Sequence, residues 1–226
     1  MVCAMSLQQE QFQQPEEPPQ GTFASLSFTA QTSLLRISPV FLQATDIPTF
    51  LDVQARLRPH LTSPYHLKER DEKDLLTHLS ERMPLIGAKI DDGSDYGGDV
   101  VGGCLLSLLK NEEGLKHITG YPVDHFQKPT TAVVQSLCID PTHRGRKIAQ
   151  TILDAAFATA AEKGMTQILS AIADDNAASI KTFTEAGYTP IAHGYDSIKG
   201  YAKTFYRLRI GCAAAATGVA LKAKIA

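Results

Sequence analysis

Apolar and β-branched residues recur along the chain in short runs that alternate with longer amphipathic stretches. The short runs predict strands and the amphipathic stretches predict helices. Strands are predicted at 34–37, 85–90, 100–109, 132–139, 167–173, 188–192 and 204–210. Helices are predicted from residue 45 and over 68–82, 144–163 and 177–186. The order β-α-α-β-β-β-α-β-α-β-β predicts an α/β (α+β) protein, with a mixed central sheet of about seven strands flanked by four helices.

Capping residues support the predicted helix ends. Thr45 or Asp46 can cap the first helix, and Pro48 falls in its first turn, where proline is tolerated. Gly187 ends the fourth helix. The strands at 85–90 and 100–109 are separated by an Asp- and Gly-rich stretch, residues 91–99, which predicts a hairpin with a long tip.

The two ends of the chain differ in composition from the middle. Residues 1–32 are rich in Gln, Pro, Glu and Ser and have little to bury, which predicts a flexible leader. Residues 33–210 hold all the predicted elements and are expected to form one domain. Residues 211–226 are Ala-rich with two lysines, and this tail either packs as a helix or is disordered.

Composition excludes several classes of protein. With 226 residues and a net charge of −2, the chain lacks the clustered Lys and Arg of a nucleic-acid surface. The four cysteines (Cys3, Cys104, Cys138, Cys212) are scattered, so neither a disulfide framework nor a zinc site is expected. The expected compartment is the reducing cytoplasm. No signal peptide precedes the domain, and no apolar run reaches the roughly 18 residues of a membrane span. We therefore expect a cytoplasmic protein without nucleic-acid or membrane partners.

The turn after the strand at 132–139 carries the clearest chemistry. The strand ends at Asp140-Pro141, and the basic, glycine-containing stretch at 144–149 opens the next helix. Such a turn aims unpaired backbone N–H groups and the positive end of a helix dipole at one point, which favours phosphate. The alternative is an ordinary βα turn with surface arginines.

Two motifs about thirty residues apart favour the interpretation that this turn binds phosphate. The element order, the strand at 100–103, the turn at 144–149 and the stretch from Asn176 to Gly187-Tyr188 together resemble the GNAT superfamily of acyl-CoA-dependent N-acetyltransferases. The resemblance covers roughly residues 34–210. It implies acetyl-CoA as co-substrate, without a metal.

The resemblance also implies which residues hold the co-substrate. The backbone of Leu137, Cys138 and Ile139 would pair with the pantetheine arm and hold the acetyl carbonyl. Asn176 would lie beside the pantetheine, and Phe183 would line the thioester end. An opened strand edge does offer the donors and acceptors that the two pantetheine amides need. The turn that would hold the pyrophosphate consists of Arg144, Gly145, Arg146, Lys147, Ile148 and Ala149.

The chain departs from the family at three positions. Lys147 replaces the middle glycine of the turn, where glycine lets the backbone approach phosphate closely. Phe183 replaces the tyrosine that protonates the leaving thiolate in many members. Val133 and Gln135 occupy the strand positions where some members place a general base.

The departures leave the catalytic residues unassigned. Tyr195, Tyr201 or Tyr206 could protonate the leaving thiolate in place of the missing tyrosine, and a water held by Gln135 or Ser136 could also do so. Candidates for the base are His117, Asp124 and His125, which lie in the long irregular stretch between the third and fourth strands.

The function we predict is an N-acetyltransferase that moves an acetyl group to an amine of a small molecule or peptide, by direct attack in a ternary complex. One alternative is a regulatory protein that binds acyl-CoA without turnover, and another is a transferase of a longer acyl chain. The acidic tip (Asp91, Asp92, Asp95, Asp99) could steer a cationic amine. The late strands and apolar tail would suit a homodimer.

Overall fold

Seven strands and four α-helices make up the part of the chain that the computed structural model describes, residues 36–91, 98–109, 130–197 and 199–211. The strands are β1 (Arg36–Phe41), β2 (Leu85–Asp91), β3 (Val100–Leu109), β4 (Thr131–Ile139), β5 (Gln167–Ala173), β6 (Thr189–Asp196) and β7 (Tyr201–Arg209). The helices are α1 (Ile47–Leu57), α2 (Glu72–Ser80), α3 (Ile148–Glu162) and α4 (Ala177–Glu185). The predicted element order and fold class are confirmed.

The strands form one sheet in the order β1-β2-β3-β4-β5-β7-β6. Neighbouring strands are antiparallel except β4 and β5, which run parallel. The β4–β5 register ends after three residue pairs, at Val133 and Leu169. Beyond that point the two central strands part, and the gap between them opens at their carboxyl ends.

A bulge in β4 accounts for the parting of the strands. Ser136 and Leu137 together stand opposite the single residue Cys104 in the β3–β4 ladder. Ser136 has a φ of 53°, a left-handed conformation that is uncommon for a residue with a side chain. A bulge of this kind bends its strand and increases the local twist, so β4 turns away from β5 while it stays paired with β3.

Helices cover both faces of the sheet. One face packs against α3, whose buried residues include Ile152 and Ala156. The other face packs against α1 and α2 through residues such as Phe50 and Leu75. Strand β3 passes between these layers, and a Cβ on Gly103 would lie 2.7 Å from Phe50 Cε2. Glycine at this position therefore lets α1 approach the sheet closely.

Several predicted boundaries are wrong by a few residues. The third helix begins at Ile148 rather than at residue 144, because Lys147 adopts a left-handed backbone (φ 59°, ψ 20°) that no helix continues through. The second begins at Glu72 rather than at residue 68, because the Asp71 carboxylate accepts the N–H of Asp74 at 2.7 Å and fixes the cap there. The last two strands are longer than predicted.

Four sequence predictions fall wholly or partly outside the described residues. They concern the leader at 1–32, the tail beyond residue 211, the acidic tip at 92–97 with Asp92 and Asp95, and the irregular stretch at 110–129 with His117, Asp124 and His125. The division of the chain at residues 33 and 210 stays a prediction. Among the described helices, none is both long and apolar enough to cross a bilayer.

Candidate active site

Two adjoining cavities open where β4 and β5 part. The turn cavity, about 590 Å³, lies between the end of β4, the turn before α3 and one side of α4. The strand cavity, about 330 Å³, lies between β4, β5 and β7. His66, Leu137, Asn176 and Ser179 line both cavities, so the two adjoin at these residues.

The structure brings the predicted co-substrate residues together around the turn cavity, with two exceptions. The predicted residues that line it are Leu137, Cys138, Ile139, Arg144, Gly145, Lys147, Ile148, Ala149 and Asn176. Phe183 lines the strand cavity instead, and Arg146 lines neither. Its Nη1 is buried without a hydrogen-bond partner among the described residues.

The start of α3 faces the turn cavity with unpaired donors. The helix makes its first internal hydrogen bond from Thr151 N–H to Lys147 O, at 3.0 Å. The N–H groups of Ile148, Ala149 and Gln150 therefore have no acceptor within the helix. Together with the helix dipole, they make this end of the cavity suited to an anion.

Lys147 takes the conformation that a glycine would take in this turn. Its left-handed backbone costs about 1–2 kcal/mol for a residue with a side chain, while its side chain stays exposed. Gly145, two residues earlier, has a φ of 78° and bears no such cost. The turn thus keeps a glycine-like path despite the substitution.

Asp140 fixes the turn to the rest of the fold. Its Oδ1 accepts hydrogen bonds from the Thr142 N–H at 2.9 Å and the Thr142 hydroxyl at 2.6 Å. Arg56 on α1 donates from Nε to Oδ2 at 2.8 Å. Burial would by itself raise the pKa of Asp140, but the hydrogen bonds from Thr142 and Arg56 outweigh it and hold that pKa below its ordinary value.

Asn176 and Phe183 occupy the boundary between the cavities. The Asn176 Oδ1 accepts the Ser179 N–H at 3.1 Å and so caps α4, and its Nδ2 donates to the His66 carbonyl at 3.3 Å. Phe183 is buried, lines the strand cavity and meets the Tyr188 ring edge to face at a centroid distance of 5.0 Å. Contact of either residue with pantetheine stays a prediction.

Residues 64–68, which we call the strap, cross the mouth of the strand cavity. The Tyr65 ring stacks on the Tyr201 ring of β7, with centroids 4.8 Å apart and planes 7° from parallel. The nearly buried His66 side chain places Nε2 2.8 Å from Asp175 Oδ1, between β5 and α4. On the other side, the Ser136 hydroxyl donates to the Lys68 carbonyl at 2.6 Å. The strap thus joins β4 to the far side of the gap.

The sequence did not predict the strap, because it lies between two helices and has no periodic apolar pattern. His66 and Asp175 are 109 residues apart, and nothing in the composition of either segment indicates their pairing. Long-range contacts of this kind depend on the tertiary fold.

The strand positions expected to hold a base have other roles. Val133 is fully buried in a small apolar cluster with Leu109 and Leu169. Gln135 lines the strand cavity, but its Oε1 accepts a hydrogen bond from the Arg70 guanidinium, and the same guanidinium donates to Ser136 Oγ at 3.4 Å. Arg70 therefore fixes both residues that could have held a water.

Of the three tyrosines considered for the acid, only Tyr201 lines a described cavity. Tyr206 is buried in the core beside α3, and Tyr195 is 67% exposed. Burial, then the negative charge of Asp196 and the neighbouring Tyr65, raise the pKa of Tyr201. Its phenol is therefore protonated at neutral pH, the form that can donate a proton to a thiolate.

The cysteines that the structure describes are unsuited to covalent catalysis. Cys104 and Cys138 are both buried free thiols. Burial raises both pKa values, that of Cys138 to about 12. Since the thiolate is the nucleophilic form, burial and these raised pKa values disfavour both side chains as acyl carriers at neutral pH.

Comparison with known proteins agrees with this geometry. The family model described as "Acetyltransferase (GNAT) family" matches residues 50–188, more than half of the chain. The chain belongs to the GNAT acetyltransferase family.

Solved structures share the fold at low sequence identity. The structure of yncA from Salmonella typhimurium with its cofactor acetyl-CoA is 17% identical, with a TM-score of 0.58 over 78% of this chain and 95% of that one. An N-acetyltransferase from Staphylococcus aureus Mu50 is 18% identical, with a TM-score of 0.57 over 76% of this chain and 98% of that one.

Curated relatives match over a shorter stretch. The L-2,4-diaminobutyric acid acetyltransferase of Streptomyces anulatus is 36% identical over 76 residues, which is 33% of this chain and 42% of the relative. The protein of the same name from Streptomyces coelicolor is 40% identical over 68 residues, 30% of this chain and 39% of the relative. The chain thus matches only about two fifths of the length of these relatives.

Proposed function

We propose that this protein transfers the acetyl group of acetyl-CoA to a primary amine of a small molecule, by direct attack within a ternary complex. The observation that carries the proposal is that the two cavities adjoin along the parted edge of β4. The parted edge of β4 leads from the strand cavity to the unpaired N–H groups at the start of α3. An extended chain with amides along its length and a diphosphate at its end matches this sequence of donors and acceptors.

The residues present fit the co-substrate at both ends. The backbone of β4 at residues 137–139 has no strand partner on the β5 side, so it can pair with the pantetheine amides. The N–H groups at the start of α3, with the charges of Arg144 and Lys147, fit the pyrophosphate. The thioester of acetyl-CoA supplies the acyl group, and Phe183 lines the wall of the strand cavity where we place it.

A small acceptor fits the strand cavity better than a protein surface does. A volume of about 330 Å³ is at the low end of the range for small-molecule sites, and the strap covers its mouth. The curated relatives, named for acetylating the small amine L-2,4-diaminobutyric acid, support an acceptor of this size.

The decisive experiment measures free-thiol release from acetyl-CoA with a panel of small amines, beside calorimetric binding of coenzyme A. We expect binding and release, and the charge reversal Arg144→Glu should raise the KM for acetyl-CoA about tenfold or more. The exposed Arg82→Glu, on the turn after α2, should leave that KM unchanged. Binding without release by any amine would instead favour the regulatory alternative. Thiol release from long-chain acyl-CoA but not from acetyl-CoA would favour a transferase of a longer acyl chain.

Tyr201 is the residue we propose as proton donor to the leaving thiolate. Tyr201→Phe keeps the ring that stacks on Tyr65 and removes only the hydroxyl, so kcat should fall about 10²–10³-fold with little change in thermal stability. Tyr195→Phe, on an exposed side chain, is the matched control and should keep full activity. An unchanged kcat in Tyr201→Phe would exclude this role.

A further inference from the structure

The wall of the strand cavity carries an excess of positive charge. Three lysines from separate segments line it: Lys68 of the strap, Lys199 of the β6–β7 turn and Lys203 of β7. The one carboxylate among its lining residues is Asp196. Two positive charges are therefore unbalanced at the cavity wall.

Asp196 is already occupied by its own neighbours. Its Oδ2 lies 3.8 Å from Lys203 Nζ, and its Oδ1 accepts the backbone N–H of Lys199 at 3.1 Å. Lys203 is further held with Nζ 5.5 Å from the centre of the Phe205 ring. Lys203 and Asp196 thus form a pair of their own. Asp74 acts on Lys68 from beyond ion-pair distance and compensates its charge only in part.

Lys68 and Lys199, the lysine pair, have no carboxylate within 4 Å among the described residues. Partial burial, then the positive charges of Arg70 and Lys199, lower the pKa of Lys68. Cations that approach one another at a cavity wall are costly unless an anion enters between them.

We infer that the acceptor is an amine that also carries a carboxylate, and that the lysine pair binds this carboxylate. The inference rests on the proposed function and adds the chemical class of the acceptor. The same charges oppose a polyamine or other multiply charged cation at this wall.

The positive wall also assists the chemistry expected of the acceptor. The attacking amine must be neutral, and a free amine with a pKa of about 10.4 is neutral in only roughly one molecule in 2,500 at pH 7. Nearby positive charge disfavours the ammonium form and so raises that fraction. The carboxylate would hold the acceptor in place while the wall favours loss of the amine proton to solvent.

A matched set of acceptors tests the inference in the full chain. L-2,4-diaminobutyrate, its methyl ester and 1,3-diaminopropane keep an attacking amine, while the last two lack the carboxylate. We expect kcat/KM to fall on the order of 10- to 100-fold with either of these two. The amino phosphonate of matching length separates a carboxylate from a phosphate site. If it is the better acceptor, the commitment to a carboxylate is wrong.

Substitutions then assign the effect to the lysine pair. Lys68→Met and Lys199→Met should each raise the KM for diaminobutyrate about tenfold, without a comparable rise for 1,3-diaminopropane or acetyl-CoA. Lys163→Met, an exposed lysine at the end of α3, is the control and should change none of these constants. An equal loss with the ester and the free acid would contradict binding through the carboxylate.

Equilibrium binding separates this inference from the proposed function. Calorimetry with coenzyme A present should show tighter binding of diaminobutyrate than of 1,3-diaminopropane, and the Lys68→Met/Lys199→Met double variant should lose the difference. That pattern without any thiol release would overturn the proposed function alone. Thiol release with equal affinity for the two amines would overturn the inference alone.

Discussion

Lys147 shows how one residue can depart from a family pattern without changing the path of the backbone. It adopts φ 59° and ψ 20° at the start of α3, the conformation that the family's glycine would adopt freely. The side chain is exposed, so it does not block the turn cavity. The strain of about 1–2 kcal/mol lies in the backbone and not in side-chain contacts.

Two substitutions at Lys147 separate backbone strain from charge. Lys147→Ala and Lys147→Gly both remove the ammonium group, but only glycine relieves the left-handed conformation. We expect Lys147→Gly to be more stable than Lys147→Ala by about 1 kcal/mol, measured by urea unfolding. Equal stability of the two variants would mean that the turn relaxes away from this conformation.

Other residue roles could be predicted only in part. The basic turn and the helix that follows it were sufficient to predict that residues 144–149 face one site, and the structure places five of the six around the turn cavity. Arg146 is the exception, because the direction of a side chain within an irregular turn depends on φ and ψ values that the sequence pattern does not specify.

At the scale of elements, the strap organises both cavities at once. His66 lines both of them, Nε2 lies 2.8 Å from Asp175 Oδ1, and its carbonyl accepts a hydrogen bond from Asn176. His66 therefore helps to shape the walls of both cavities. Loss of the His66 side chain, in contrast to a change confined to the strand cavity, should affect both substrates together.

His66→Ala tests the strap as a unit. Removing the imidazole leaves Asp175 without this partner, and the strap should become more mobile. We expect the KM for acetyl-CoA and for the amine to rise together, each about tenfold, as measured by initial rates. His60→Ala, an exposed histidine on the turn after α1, is the control. A change in only one of the two KM values would show that the strap serves a single substrate.

The gap between β4 and β5 shows which part of an element the sequence predicts. The apolar run at 132–139 predicts a buried strand, and the strand is found at Thr131–Ile139. The bulge at Ser136 has no signal in that run, because serine is not a residue that usually marks a left-handed conformation. The fold class could thus be predicted from periodicity, whereas the bulge that opens the site could not.

Across the whole molecule, the two central strands of the sheet border different parts of the site. The end of β4 lines the turn cavity, and β5 and β7 line the strand cavity. If the co-substrate and the amine bind as proposed, they meet at Leu137, Asn176 and Ser179. The proposed reaction then requires both to be bound before the acyl group moves.

This arrangement predicts which kind of steady-state kinetics the two substrates should show. If the amine attacks the thioester directly, double-reciprocal plots at several fixed amine concentrations should intersect, as they do for a ternary complex. A covalent acyl-enzyme would instead give the parallel lines of a ping-pong mechanism. Burial raises the pKa of Cys104 and of Cys138 and so disfavours those two thiols as acyl carriers, and we therefore expect intersecting lines.

Intact-protein mass spectrometry completes the kinetic test, because it also reports on the cysteines outside the described residues. After incubation with acetyl-CoA alone, the protein mass should be unchanged, and Cys138→Ser should keep the intersecting pattern. Parallel lines, together with an added acetyl group on the protein, would show that a side chain carries the acyl group between substrates. The two substrates would then bind one after the other. The acyl group would pass between them on that side chain and not by direct attack of the amine on the thioester.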